Sequence, residues 1–324
     1  MSNIKNKREI ISSGILFIFL ILLFYLEIIK FNIFPQAYIL YSQKVKIVDL
    51  ILNMHPHFLR YLVVIPSIFI GELLKVNVNT INTIYSIVLL SFINYYILKI
   101  IYDNSKPRLI VIVLTFLFIS FLSLNVNGRI IFAYFGQIII INAFIYERGK
   151  KLLLYIIIGI FYTTVSSGTM AVTVLTTVFI SFYNKYIKIK DIKLFFLTFP
   201  LGIVFFKYFY LMLNKNYTYY EKSIYKIFQH GILNKFYNNQ FFIFILCLYI
   251  VLSLSYLLII LKSRAKKIGI FESMAFLCGL FGITTFFMCI IPIFIHINII
   301  LFRGKQKNES IKNTISSNVL DNRI

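Results

Sequence analysis

An arginine opens an almost uninterrupted apolar run: Asn125-Val-Asn-Gly-Arg129 leads into Ile130–Tyr146, where Gln137 and Asn142 are the polar exceptions. A guanidinium at the centre of a bilayer costs roughly 2.5–3.5 kcal/mol on insertion scales, so Arg129 either reaches an interface or serves a site. After a basic turn at 147–151, a second apolar run extends from Leu152 to Tyr183, interrupted by Ser166-Ser167-Gly168-Thr169. Arg129 and this Ser-Gly break are expected on the same side of a membrane.

Other residues with chemical capacity gather in two mixed segments, 30–80 and 214–240. Arg129, Arg60 and Lys207 form a cationic set that suits an anionic, membrane-embedded ligand such as a lipid-linked diphosphate. Arginine binds phosphate oxygens bidentately and lysine as a point charge. The competing reading is that these long side chains snorkel to lipid headgroups. His55-Pro56-His57 has no third ligand nearby, so no metal is expected there. One of the two imidazoles as a general base fits better, because histidine titrates near neutral pH; Asp49 and Glu72 compete for that role. Tyr217, Tyr219 and Tyr220 offer aromatic faces to a saccharide, although tyrosine is also the usual residue of the membrane interface. The Ser166-Ser167-Gly168 break does not match Gly-x-Ser-x-Gly, so it is assigned to close helix packing and a re-entrant turn.

These residues are carried by a chain that is 60% hydrophobic with a mean hydropathy of +0.85 and only 14% charged residues. That composition excludes an ordinary soluble domain. Backbone polar groups in lipid are satisfied only within helices or closed barrels, and runs of about 20 apolar residues point to helices. The expected fold is an all-α, polytopic integral membrane protein with about 9–11 transmembrane or re-entrant helices and no soluble domain. The membrane domain covers 1–302, and the basic tail 303–324 is expected to be cytoplasmic and disordered. Cys247, Cys278 and Cys289 all lie in apolar runs and suggest neither disulfides nor zinc. No cofactor is expected. The net charge of +22 is spread over many short loops, the pattern of membrane topology rather than of nucleic-acid binding.

Spans are expected at 10–29, 81–101, 109–124, 130–146, 194–213 and 241–261. The runs 152–183, broken at Ser166-Ser167-Gly168, and 268–302, broken around Gly282 and Pro292, are longer than one bilayer needs, and each is expected as a tight hairpin, a re-entrant pair or a long tilted helix that overshoots. If the N-terminus, 102–108, 147–151, 184–193, 262–267 and 303–307 share the cytoplasmic side, that side holds 19 of the 33 Lys and Arg. This arrangement requires that Tyr61–Leu74 fail to cross.

The stretch 127–133, Asn-Gly-Arg-Ile-Ile-Phe-Ala, resembles the Asn-, Arg- and Ala-bearing signature that opens a span in EpsG-like proteins. Val-Ser-Ser-Gly-Thr-Met at 165–170 is similar to the serine-rich hairpin of Wzy-type polysaccharide polymerases. The two stretches and the chain between them, 127–170, cover about a seventh of the sequence. EpsG-like proteins tend to carry a histidine just before the hairpin serine, where Val165 and Ser166 stand here. The resemblance implies glycosyl transfer at the outer face of a bacterial cytoplasmic (inner) membrane, with a polyprenyl-diphosphate-linked oligosaccharide as substrate. It implies lipids, a chain-length regulator and a flippase as partners, and no nucleic acid. Arg129 is the position it carries over. A lipid-linked-sugar glycosyltransferase using Asp49, a lipid or solute transporter, and a non-catalytic membrane subunit are the alternatives.

Overall fold

The computed structural model describes residues 2–53, 55, 57–105, 109–183, 207, 210–211, 214–215, 217–218, 226, 228–236, 238–261 and 266–302. The span expected at 194–213, apart from 207, 210 and 211, and the tail 303–324 lie outside the described residues. Among the described residues the fold is entirely helical. In chain order the helices are α1 (Ser2–Tyr25), α2 (Pro35–Ser42), α3 (Ile47–Leu52), α4 (Phe58–Leu74), α5 (Val78–Asn104), α6 (Leu109–Asn125) and α7 (Gly128–Tyr146). They continue with α8 (Gly149–Thr163), α9 (Ser167–Tyr183), α10 (Phe242–Leu261), α11 (Lys266–Cys278), α12 (Ile283–Phe287) and α13 (Ile290–Leu301). Five stretches are long and apolar enough to cross a membrane: Lys7–Tyr25, Val78–Asn104, Gly128–Tyr146, Phe242–Leu261 and Ile283–Leu301. The protein is an all-α polytopic membrane protein.

Local chemistry sets the helix starts. Asn127 caps α7 by accepting from the Ile130 N–H at 3.1 Å, and Asn77 caps α5 by accepting from the Asn79 N–H at 2.8 Å. Lys75 adopts a left-handed conformation, with φ of 54°, and closes α4 just before α5 begins. The helix that opens with Arg129 lies at the centre: 83% of α7's apolar window is buried, against 11% for α10, which is mostly peripheral. Helices α7 and α8 approach through Gly136 and Gly159, where a Cβ on Gly159 would lie 2.7 Å from the Gly136 carbonyl oxygen. Only the absence of side chains allows this proximity.

Hydrogen bonds fix which helix ends lie together. Directly after α1, the Phe31 N–H donates to Thr83 Oγ1 at 3.0 Å and Asn82 Nδ2 donates to the Phe31 carbonyl at 2.7 Å. The exit of α1 and the entry of α5 therefore share one end of the bundle, called here the upper end. At the lower end, Lys99 lies over the Tyr146 ring at 4.6 Å and Lys267 donates to the Phe144 carbonyl. The segment 30–77 between α1 and α5, expected as a mixed loop, is largely helical. Its α4 is tied to the upper end twice, by Ser67 to Asn82 at 3.2 Å and by Arg60 to the Thr164 carbonyl at 3.3 Å. Both contacts hold α4 at the same end of the bundle, the arrangement that the expected topology requires.

Both long apolar runs bend back. Helices α8 and α9 form a hairpin turning at 164–166, with Thr169 Oγ1 donating to the Thr163 and Ser166 carbonyls. Helices α11 and α13 form a second hairpin, broken at Gly279–Gly282 and again at Met288-Cys289. Pro292 does not break the helix; it lies in the first turn of α13, where its missing N–H leaves no gap in the ladder. Tyr134 donates to the Phe287 carbonyl at 3.1 Å and Gln137 to the Met288 carbonyl at 2.7 Å, so α7 satisfies backbone groups that the break releases.

Two outcomes follow from this packing. Gly159→Val should lower the thermal midpoint of the detergent-solubilised protein by the overpacking cost of about 1–3 kcal/mol; an unchanged midpoint would show that α7 and α8 can separate freely. In a chain with Cys247, Cys278 and Cys289 replaced by Ala, single cysteines at Asp49, Lys75 and Asn127 should react with an impermeant maleimide from the same side of sealed vesicles. Labelling of positions 49 and 75 from opposite sides would show that α4 crosses.

Candidate functional site

The upper end brings together charges that are far apart in the sequence. Arg60, in the first turn of α4, is buried at 5% exposure. Its Nε donates to the Thr164 carbonyl of the α8–α9 turn at 3.3 Å, and its terminal nitrogen faces His57 Nδ1 at 3.2 Å. On the other edge of the same imidazole, Lys215 Nζ lies 3.1 Å from His57 Nε2. His55 completes the pair: the His57 backbone N–H donates to His55 Nδ1 at 3.2 Å, and the two rings meet edge to face with centroids 5.5 Å apart. Arg129, in the first turn of α7, is near enough for its charge to act on both Arg60 and His57. Arg129 Nε is buried with no hydrogen-bond partner among the described residues.

The electrostatics follow from this crowding. Burial pushes the Arg60 guanidinium down to about 10, and repulsion from Arg129 adds to it, so Arg60 stays charged at neutral pH. Burial also pushes His57 down to about 3, reinforced by Arg60, Lys215, His55 and Arg129 in that order. His55 shifts the same way through burial and then Lys215. Among the described residues, no carboxylate forms an ion pair with Arg60, Arg129 or Lys215. An uncompensated cationic cluster around a neutral imidazole is electrostatically a receptor for an anion.

The sequence-expected residues separate into two groups. His55, His57, Arg60 and Arg129 converge, and Arg129 lies at the same end as the Ser166-Ser167-Gly168 turn. Asp49 is exposed on α3, and Glu72 is exposed twelve residues beyond Arg60 on α4, about 18 Å along the helix. Neither is joined to the cluster. Lys207 and Tyr217 are described and exposed, with no bond to the cluster; Tyr219 and Tyr220 lie outside the described residues. Lys215 enters the site without having been singled out, since nothing in its sequence neighbourhood distinguishes it from Lys222 or Lys226. The serine turn serves packing, as its composition suggests: a Cβ on Gly168 would collide with Thr285 Oγ1. Its contribution to the site is a backbone carbonyl, that of Thr164.

A second polar contact lies within the broken hairpin, where Glu272 of α11, 1% exposed, meets His296 Nδ1 of α13 at 2.8 Å. Two ionisable residues within the apolar run 268–302 were the available signal for it. No group of three His, Cys, Asp or Glu side chains arranged to hold a metal occurs among the described residues.

No protein-family model matches this chain, and neither a curated protein nor a solved structure matches it.

The depressed imidazole gives a pH signature. As pH falls from 6.5 toward about 3, the unfolded chain takes up a proton at His57 that the folded chain refuses. The contribution of His57 to stability is therefore full above pH 6.5 and declines through that window. His57→Gln should flatten the fall in thermal midpoint between pH 6.5 and about 4; identical slopes for the two proteins would mean that the imidazole is not held neutral.

Proposed function

We propose that the upper-end cluster holds the diphosphate of a polyprenyl-linked oligosaccharide, and that the chain polymerises such repeat units at the outer face of a bacterial cytoplasmic membrane. The observation that carries this reading is the convergence of Arg60, Arg129 and Lys215 with no carboxylate paired to them. The motif similarity at 127–133 and 165–170 supports it, because both stretches lie at this same end.

In this reaction a sugar hydroxyl of one lipid-linked unit attacks the anomeric carbon of a second glycan. The anomeric C–O bond to the diphosphate breaks, and its electron pair departs with the polyprenyl diphosphate. The hydroxyl proton ends on the released diphosphate or in water. The leaving group is already good, so the protein's tasks are to stabilise negative charge and to align two substrates. Arg129 and Lys215 bear on the diphosphate, and Arg60 adds its charge from the buried side. Phosphate oxygens replace the missing counter-charges and relieve the repulsion among the cations.

The second reading is a transporter for a lipid or solute. It is favoured by one observation, the buried Glu272–His296 contact in a hairpin of broken helices, a combination typical of coupled transport. The two readings make different demands: transport needs Glu272 and His296, whereas polymerisation needs Arg129.

The test is the surface-glycan profile of a strain lacking this chain, complemented with wild type, Arg129→Ala or Glu272→Gln. Polymerisation predicts loss of the long ladder with a single repeat unit retained, restored by wild type and Glu272→Gln but not by Arg129→Ala. A glycan truncated before its first repeat would point to a transferase. An unchanged ladder in the deletion strain would sink the reading.

A further inference from the structure

The way Arg60 grips His57 decides what the imidazole can do. Arg60 and Lys215 can each only donate, at 3.2 Å to Nδ1 and 3.1 Å to Nε2 of His57, and a neutral ring accepts at one nitrogen. The buried Arg60 is held in place by Thr164 whereas the exposed Lys215 can turn away, so Nδ1 is the nitrogen that accepts. The proton of the neutral ring then sits on Nε2. Facing that N–H, 3.1 Å away, is the ammonium of Lys215, which is also a donor. Two donors pointed at each other cannot satisfy one another, but one acceptor oxygen placed beside the pair, within reach of both, satisfies them. Arg129 Nε, buried and unpartnered, is a third donor in the same cluster. His55 follows the same rule: its Nδ1 accepts from the His57 backbone N–H, which places its proton on Nε2 as well.

We propose that His57 acts as a hydrogen-bond donor to a bound phosphate-type oxyanion, fixed in its Nε2–H form by Arg60, and that Nε2 of His57, Nζ of Lys215 and Nε of Arg129 together form a three-point cradle for that anion. The proposal rests on reading the cluster as an anion site and deepens it. It removes His57 from the role of general base, because a base needs a free lone pair. The Nδ1 lone pair is taken by Arg60, and Nε2 already carries hydrogen. Anion binding does not reverse this, since it strengthens the donor contact and leaves the Arg60 contact in place. Arg60 is accordingly a positioning residue. Its Nε is anchored on the Thr164 carbonyl, so the turn between α8 and α9 sets the angle at which the guanidinium meets the ring. The low proton affinity of His57 agrees with a ring kept neutral among cations.

Glutamine separates the two roles, because its amide N–H can reach the place of Nε2–H while it has no basicity. The full chain in detergent is titrated with inorganic pyrophosphate by calorimetry at pH 7, as wild type, His57→Gln and His57→Ala, with thermal melts to confirm that each variant is folded. The expected result is that His57→Gln binds within about threefold of wild type, whereas His57→Ala binds at least about tenfold more weakly, the effect of one hydrogen bond to a charged group. In the deletion strain, His57→Gln should restore more of the glycan ladder than His57→Ala, in step with their pyrophosphate affinities. Histidine 15N spectra of labelled protein should place the His57 proton on Nε2 in wild type and lose that preference in Arg60→Gln.

Three results would overturn the proposal: no pyrophosphate binding by wild type, equal affinity in His57→Ala and wild type, or loss of the ladder in His57→Gln with pyrophosphate affinity intact, which is the signature of a base. Failure of the polymerase reading looks different. The ladder would then be unchanged in the deletion strain while the pyrophosphate affinities still followed the donor pattern.

Discussion

Arg60 is buried at 5% exposure and neither of its described hydrogen bonds goes to a carboxylate; one partner is a backbone carbonyl and the other an imidazole. Much of the upper end depends on that arrangement. The contact to Thr164 ties α4 to the α8–α9 turn, and with the Ser67–Asn82 contact it holds α4 at the end where α1 exits and α5 enters. The contact to His57 fixes the ring. A buried cation without a counter-ion costs several kcal/mol after relaxation, so the cluster weakens the empty protein. A ligand that supplies the negative charge would bind and stabilise the fold through the same interaction.

The rest of the bundle supplies the rigidity that such a site needs. Helix α7 carries Arg129 in its first turn and is enclosed along most of its length, with Gly136 against Gly159 on one side and the Tyr134 and Gln137 bonds to the second hairpin on another. Helix α5 is pinned to α8 by Tyr85 and Tyr162, whose hydroxyls lie 2.7 Å apart, and to α1 by Asn94 with Ser13 at 3.0 Å. Interhelical polar contacts of this kind have modest individual energies in a membrane. Their value here is directional. They fix the rotation of each helix about its axis, and so the direction in which Arg129 and Arg60 project.

Much of this was legible in the sequence, for stated reasons. The apolar runs define α1, α5, α6, α7 and α10 because a bilayer requires both length and composition. The two overlong runs could bend or tilt, and the structure bends both, the 268–302 run breaking at Gly282. Arg129 stood out because a guanidinium opening an apolar helix is costly. Convergence was not legible. Lys215 and His57 are 158 residues apart and meet only through tertiary structure, and Thr164 contributes a carbonyl that every residue possesses. The His55-Pro56-His57 pattern suggested a base, but it could not show that a donor would occupy Nδ1. Gln137 looked like an exception within α7 until the broken helix beside it supplied an orphan carbonyl.

The strongly basic composition offers a simpler origin for an unpaired cluster: with 33 Lys and Arg against 11 Asp and Glu, some cations must go without partners. The placement of the few carboxylates argues against that explanation. Glu272 is 1% exposed and is set against His296 inside the second hairpin, so this fold does bury a carboxylate where a partner is in place. Two others belong to the same segment as Arg60, and neither is used: Asp49 is exposed on α3, and Glu72 is exposed about 18 Å along α4. Scarcity alone would leave exposed cations unpaired first, because they lose little by it. Among the described residues exposed cations such as Lys44 and Lys75 do form no ion pair, but neither does Arg60, a buried one that loses most, and Arg129 beside it has a buried nitrogen without a partner. Negative charge is withheld from the one place in the described structure where it would be most stabilising, which is the condition under which an incoming oxyanion gains most by binding.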